Sequence, residues 1–161
     1  MNAADVMPAL TVAAAVGCAL TAGVMFAFST SVMPGLGRLP ALHAIAAMIS
    51  MNKAILNPLF FLVFMGTTVL CVAAAALTPF ADTEGGALRV AGAVIFLLGV
   101  FGLRMAGNVP MNDHLMTLDP DAAGSVKEWN DYLSRWTRLN HIRALTGTAG
   151  AVALTVSALV G

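Results

Sequence analysis

The chain has 161 residues, 59% of them apolar and 10% charged, with a mean hydropathy of +0.87 and a formal net charge of zero. A soluble domain carries roughly 25% charged residues, so this composition cannot cover a water-facing surface and excludes an ordinary soluble globule. Zero net charge, with no basic patch beyond helix-flanking residues, also excludes electrostatic binding of nucleic acid.

Taken in order, the first element is the charge-free run from Val6 to Gly37, which exceeds the roughly 20 residues a helix needs to cross hydrocarbon. It predicts a span over about 7–33. Asp5 stands where a secretory signal would be basic, and the run outlasts an h-region of about 7 to 15 residues, so the segment reads as a retained helix. Met33-Pro34-Gly35 ends it and Leu36 to Pro40 reads as a turn. Ala41 to Asn52 predicts a short amphipathic helix lying along the interface. There Leu42, Ile45, Ala46 and Ile49 repeat at helical spacing, while His43, Ser50 and Lys53 fall elsewhere. Asn57-Pro58 opens the second span, about 54–78, with Asn57 placed to cap it and Pro58 suited to a first turn. Thr78 to Gly86 is a short external connection. A third span over about 87–107 is uncharged only between Arg89 and Arg104, and suffices if both arginines snorkel to the interfaces. A polar loop follows over about 108–140, and a fourth span, about 141–160, runs uncharged after Arg143.

The predicted fold is therefore all-α: residues 1–161 form a single transmembrane domain, an integral membrane four-helix bundle with a short amphipathic interfacial helix after the first span. Arg38 and Lys53 lie in the first connection, and Lys127, Arg135 and Arg138, flanked by Arg104 and Arg143, lie in the third. The tail, the C-terminal end and, apart from Arg89, the second connection lack basic residues. This alternation predicts a multi-pass cell-membrane protein with both termini outside and the polar segment cytoplasmic.

Cys18 and Cys71 fall mid-span and read as small buried apolar residues, with no disulfide framework indicated. Gly92, Gly99 and Gly102 on span three and Gly147, Gly150 and Ala151 on span four predict close helix crossings. The same seams suit self-association, so a homo-oligomer stays open. Trp136, Asn140 and Arg143 follow at i, i+4 and i+7 and share one face, which continues to Gly147 and Gly150. An arginine facing inward at the membrane border needs an anion or carbonyl partner. Asn108 and Asn112 bracket Pro110, where Asn108 can cap a following helix or offer its amide to a cavity. Trp136, Trp129 and Tyr132 also suit an interfacial aromatic belt. His43 and His114 read as interfacial or solvated. His141 alone has polar neighbours able to orient an imidazole, which is what makes a histidine a useful base. No metal-ligand spacing occurs, although Met111 with His114 leaves a copper possibility open.

Phe26-Ala-Phe-Ser-Thr with Met33-Pro34, Asn57-Pro58, Asn108-Val-Pro-Met-Asn112 and Trp136 through Arg143 together resemble the anthrone oxygenase-like family of small four-helix membrane proteins. The resemblance spans nearly the whole chain, and its most specific parts are the two polar motifs; His114 is no part of the family pattern. It implies oxidation of an anthrone, a tricyclic phenolic ketone, to an anthraquinone by O2 with no bound cofactor. On that expectation His141 is the base, and Arg143 with Asn108, Asn112 or Asn140 stabilises the enolate oxygen while Trp136 stacks on the rings. The alternative is a non-catalytic membrane protein binding a lipid, a quinone or a partner helix through the same cluster, with Arg143 and Arg138 as an anion clamp.

Overall fold

The computed structural model describes residues 3–81 and 84–161, and these are helical with no strand among them. Helix α1 (Ala3–Ala27) passes through a π-helical turn (Phe28–Val32) into α2 (Met33–Leu36). After α3 (Ala41–Ala54), α4 (Pro58–Leu77) ends in a 3-10 turn (Thr78–Phe80). Helix α5 (Gly86–Phe96) continues through two more π-helical turns (Leu97–Gly102 and Arg104–Asn108) into α6 (Val109–Thr117), and α7 (Ser125–Val160) completes the chain. Four stretches of the described residues are long and apolar enough to cross a membrane: Asp5–Leu36, Pro58–Phe80, Gly86–Thr117 and Ser125–Val160. The protein is thus a four-helix bundle of membrane character, with α3 as the additional short helix. Of the connection between the second and third spans, Asp82 and Thr83 lie outside the described residues.

Local chemistry accounts for the helix ends and the wide turns. Asn57 Oδ1 accepts from the Phe60 amide at 3.0 Å and Pro58 occupies the first turn, as the sequence predicts. Two of the three π-helical turns end two residues before a proline. Pro34 and Pro110 have no N–H to offer the carbonyl four residues back, and their rings crowd it, so the preceding turn widens. Gly85 (φ 73°) and Gly124 (φ 111°) hold left-handed conformations just before α5 and α7.

The segment expected as a loop over 108–140 is helical at both ends, and α7 runs unbroken for 36 residues. The physical reason is that its inward period never lapses: Trp129, Tyr132, Trp136, Asn140, Arg143, Gly147 and Gly150 are all buried. The charges of Lys127, Glu128, Asp131, Arg135 and Arg138 ride on the exposed side. Helix α3 also differs from the expected pattern, because its buried face is Ala44, Ile45, Met48 and Asn52, leaving Leu42 outward. This helix is apolar on two faces, and the spacing of the outer one resembles the inner.

Helix α7 packs chiefly against α1 and α5. The α5–α7 crossing is as close as the glycines predict: a Cβ on Gly92 would stand 3.0 Å from the Gly150 carbonyl oxygen, and one on Gly150 3.0 Å from that of Gly92. One apolar cluster fills the middle of the bundle around Phe64, Phe96, Val100 and Leu154, and contains both cysteines as free thiols 3.6 Å apart. A second joins α2, α3, α6 and the start of α7 around Met33, Ile45, Leu115 and Trp129. At the other end, Ser157 Oγ donates to the Gly85 carbonyl at 2.9 Å and Arg89 Nε to Thr11 Oγ1 at 3.0 Å. Arg89 is therefore buried against span one at this end of the bundle.

Candidate functional site

Between the two apolar clusters, α7 carries two fully enclosed polar residues. Asn140 is 0% and Arg143 1% exposed. Asn140 Nδ2 donates to the Met25 carbonyl at 2.7 Å and to Ser29 Oγ at 2.9 Å, joining α7 to the end of span one. Arg143 Nε donates to the Val100 carbonyl at 3.2 Å, and Nη1 to Asn140 Oδ1 at 3.2 Å and Asn108 Oδ1 at 3.4 Å. Each π-helical turn has one buried residue, Ser29, Val100 and Asn108 respectively, and each of these bonds to Asn140 or Arg143. π-helical turns recur where a helix must re-aim a side chain or carbonyl at a functional site, and here two of them bond the Arg143 cation and the third its neighbour Asn140.

A second layer lies toward α3. Asn112 Oδ1 accepts from both Tyr132 Oη and Trp136 Nε1, each at 2.9 Å. Trp129, Tyr132 and Trp136 stack in series at centroid distances of 5.6 and 6.3 Å, and Phe28 tilts against Trp136 at 5.9 Å. These three aromatics are buried inside the protein and form no interfacial belt, because α6 and α3 cover them. Arg104 lies over the rings of Phe60 and Phe64, 5.5 and 5.2 Å from their centroids, and so turns inward as well.

Arg104, Arg143, Asn52, Asn112 and Trp136 line a small, partly open cavity of about 20 Å³, walled otherwise by Met25, Phe28, Met48, Met51 and Ile55. Arg143 Nη2 and Asn52 Nδ2 are buried with no hydrogen-bond partner among the described residues. Arg143 forms no ion pair there either: its acceptors are two amides and a carbonyl, all neutral. A buried guanidinium of this kind favours an anionic oxygen, since desolvation strengthens its field and no carboxylate offsets it.

The structure thus unites Asn108, Asn112, Trp136, Asn140 and Arg143, and it leaves His141 out. His141 follows Asn140 but lies roughly 200° around the helix from Arg143. It is exposed, and borders an open groove with Pro34, Gly37, Arg38 and Arg138. Its Nδ1 stands 2.8 Å from the Thr137 carbonyl, which only accepts, so Nδ1 carries the proton. The expectation that base and cation converge is corrected by helix geometry. Arg138, paired with Arg143 in the alternative reading, also faces outward. Sequence reasoning missed Asn52, Arg104 and Ser29. His114 sits exposed beside Glu128 at 3.4 Å, and no group of three His, Cys, Asp or Glu gathers among the described residues.

Fold and site together define a small membrane-type helical bundle built around a buried, uncompensated cationic centre. The model of the anthrone oxygenase family matches residues 60–153, and the chain belongs to that family. That match takes in α7's polar face, Asn108 and Asn112, while Met25, Ser29 and Asn52 lie before it. No curated protein and no solved structure matches the chain.

Proposed function

We propose that the protein is a membrane-embedded oxygenase that oxidises a hydrophobic phenolic ketone of the anthrone class with O2 and no bound cofactor. The observation that carries this reading is the unpartnered Arg143 Nη2, beside a cavity that admits a single oxygen atom and that Asn52 also lines with an unpaired amide. A cavity of about 20 Å³ holds about one water, so a tricyclic ring would lie outside it, against Phe28 and Trp136, with only its oxygen inside. Outward movement of α3, whose Met48, Met51 and Ile55 form much of the wall, would admit the ring.

The chemistry asks little of the protein. Loss of a proton from the acidic CH2 leaves a carbanion delocalised onto the ketone oxygen. Held beside Arg143 and Arg104, that enolate is favoured over its neutral form, so the site selects the ionised substrate. One electron passes to O2, the resulting radical and superoxide combine to a peroxide anion that takes back a proton from solvent, and loss of water from the hydroperoxide gives the quinone. The sum is CH2 + O2 → C=O + H2O. In this reading the proton leaves to solvent or interface, and His141 is not required.

A clamp reading is favoured by one specific observation, the bonds by which Asn140 and Arg143 tie three spans together. O2 uptake by the purified protein with emodin anthrone separates the two. Uptake above the uncatalysed rate, matched one to one by quinone, is expected; a rate no greater than that of anthrone alone would leave only the clamp. We further propose that the end carrying Arg38, Lys53, Lys127, Arg135 and Arg138 faces the cytoplasm of a cell membrane, with both termini outside, following the distribution of basic residues.

A further inference from the structure

We propose that the outer seam between α1–α2 and α7 binds an anionic phospholipid, with its phosphate held between Arg38 and Arg138 and an acyl chain reaching the apolar groove farther along the two helices. Two separate grooves on the same pair of helices carry this inference. The first, about 700 Å³ and open, has Arg38 on one wall and Arg138 on the other, over an apolar floor of Met33, Pro34 and Leu133. No acidic residue lines it, and neither arginine forms an ion pair among the described residues. Thr137 Oγ1, also at this groove, is buried without a partner, and Ser134 adds an exposed hydroxyl. Two cations and two hydroxyls with nothing to neutralise them match a phosphodiester.

The second groove, about 530 Å³, is apolar and lies deeper on the same pair of helices, between Ala19, Ala22 and Gly23 on α1 and Ala151, Val152 and Val156 on α7. Helical spacing joins the two. On α7 the line Ser134, Arg138, His141, Thr148, Val152 and Val156 keeps to one face, and on α1 Gly23 leads through Phe26 to Pro34 and Gly37. From Gly23 to Pro34 is about 16 Å of helix, close to half the ~30 Å hydrocarbon thickness and so to the reach of one acyl chain. A headgroup seat of one sign, with an apolar groove at that distance along the same seam, fits a two-part amphiphile better than a free phosphate.

Native mass spectrometry of the full chain in detergent doped equally with palmitoyl-oleoyl phosphatidylglycerol and the corresponding phosphatidylcholine tests this. Wild type is expected to retain phosphatidylglycerol in preference. Arg38→Gln with Arg138→Gln should lower those adducts roughly 25-fold, from about fivefold per arginine at a lipid surface, and lower phosphatidylcholine adducts less, because the choline already offsets that phosphate. A Cβ at Gly23 meets nothing within 4 Å, so Gly23→Leu directs a side chain into the apolar groove and should reduce adducts of both lipids. Circular dichroism melting confirms that each variant is folded. Equal retention of the two lipids by wild type, or a preference that survives loss of both arginines, would overturn the proposal. Adducts untouched by Gly23→Leu would overturn the acyl groove, and a phenolic ketone retained in place of lipid would assign the seam to substrate.

Discussion

Arg143 was legible in the sequence as an inward arginine in need of a partner, because its spacing from Trp136 and Asn140 leaves no other face for it. What the sequence could not supply was the chemistry of the partners. Two of Arg143's acceptors are side chains of the polar motifs, but the third is the Val100 carbonyl, a backbone group any residue type would provide. Asn52 was hidden for a different reason: a single asparagine on an apparently amphipathic helix looks like part of a polar face. His141 shows the opposite error, since adjacency in sequence to Asn140 places it outward, not inward. A prediction follows at this scale. Asn52→Asp would set a carboxylate at the cavity that Arg143 lines, filling the need for an anion from within. The variant should fold at least as stably as wild type by thermal unfolding in detergent and lose anthrone turnover by about 100-fold, the order seen when an oxyanion donor is lost. A variant that is folded and fully active would show that the cavity does not receive the substrate oxygen.

At the scale of elements, the Asn57-Pro58 cap followed from local propensity and is present in the structure, whereas the third and fourth long helices, Gly86–Thr117 and Ser125–Val160, outrun the spans predicted over about 87–107 and 141–160. The π-helical turns did not follow from propensity, although their cause is written in Pro34 and Pro110. A proline marks a break in the ladder, yet whether the chain answers by kinking or by widening depends on what the neighbouring spans require. Here widening turns Ser29 and Asn108 inward, so the element and the site are one design. The polar stretch of α7 was obscured because charge on an outer face resembles a loop when the inner face is read less closely. The α5–α7 crossing offers a direct check. Gly150→Val would press a side chain against the Gly92 backbone oxygen and the Phe96 side chain, contacts that cannot yield cheaply. Overpacking of this kind costs about 1–3 kcal/mol, which should appear as a lowered melting temperature; an unchanged melt would mean the crossing is looser than the geometry requires.

For the whole molecule, low charge and high hydropathy announce a membrane bundle before any element is assigned, and membership of the anthrone oxygenase family agrees with that architecture. The bundle has two unlike ends. Ser157, Gly85, Arg89 and Thr11 tie one together, and the other carries α3, α6 and most of the basic residues. Single cysteines placed at exposed Lys127 and at exposed Gly161, in a background with Cys18 and Cys71 replaced by alanine, should react oppositely with an impermeant maleimide on intact cells: Gly161→Cys labelled, Lys127→Cys protected. Reversed labelling would invert the orientation proposed from the basic residues.

The central claim is that the molecule encloses a cation in order to hold a substrate oxygen as an anion, and it meets its most direct test in O2 uptake with emodin anthrone by wild type, Arg143→Met and His141→Ala. Arg143→Met, close in volume and uncharged, should lose at least about 100-fold in rate while retaining its helical melt, and His141→Ala should stay within about threefold of wild type. A folded Arg143→Met protein that turns over at the wild-type rate would contradict the account.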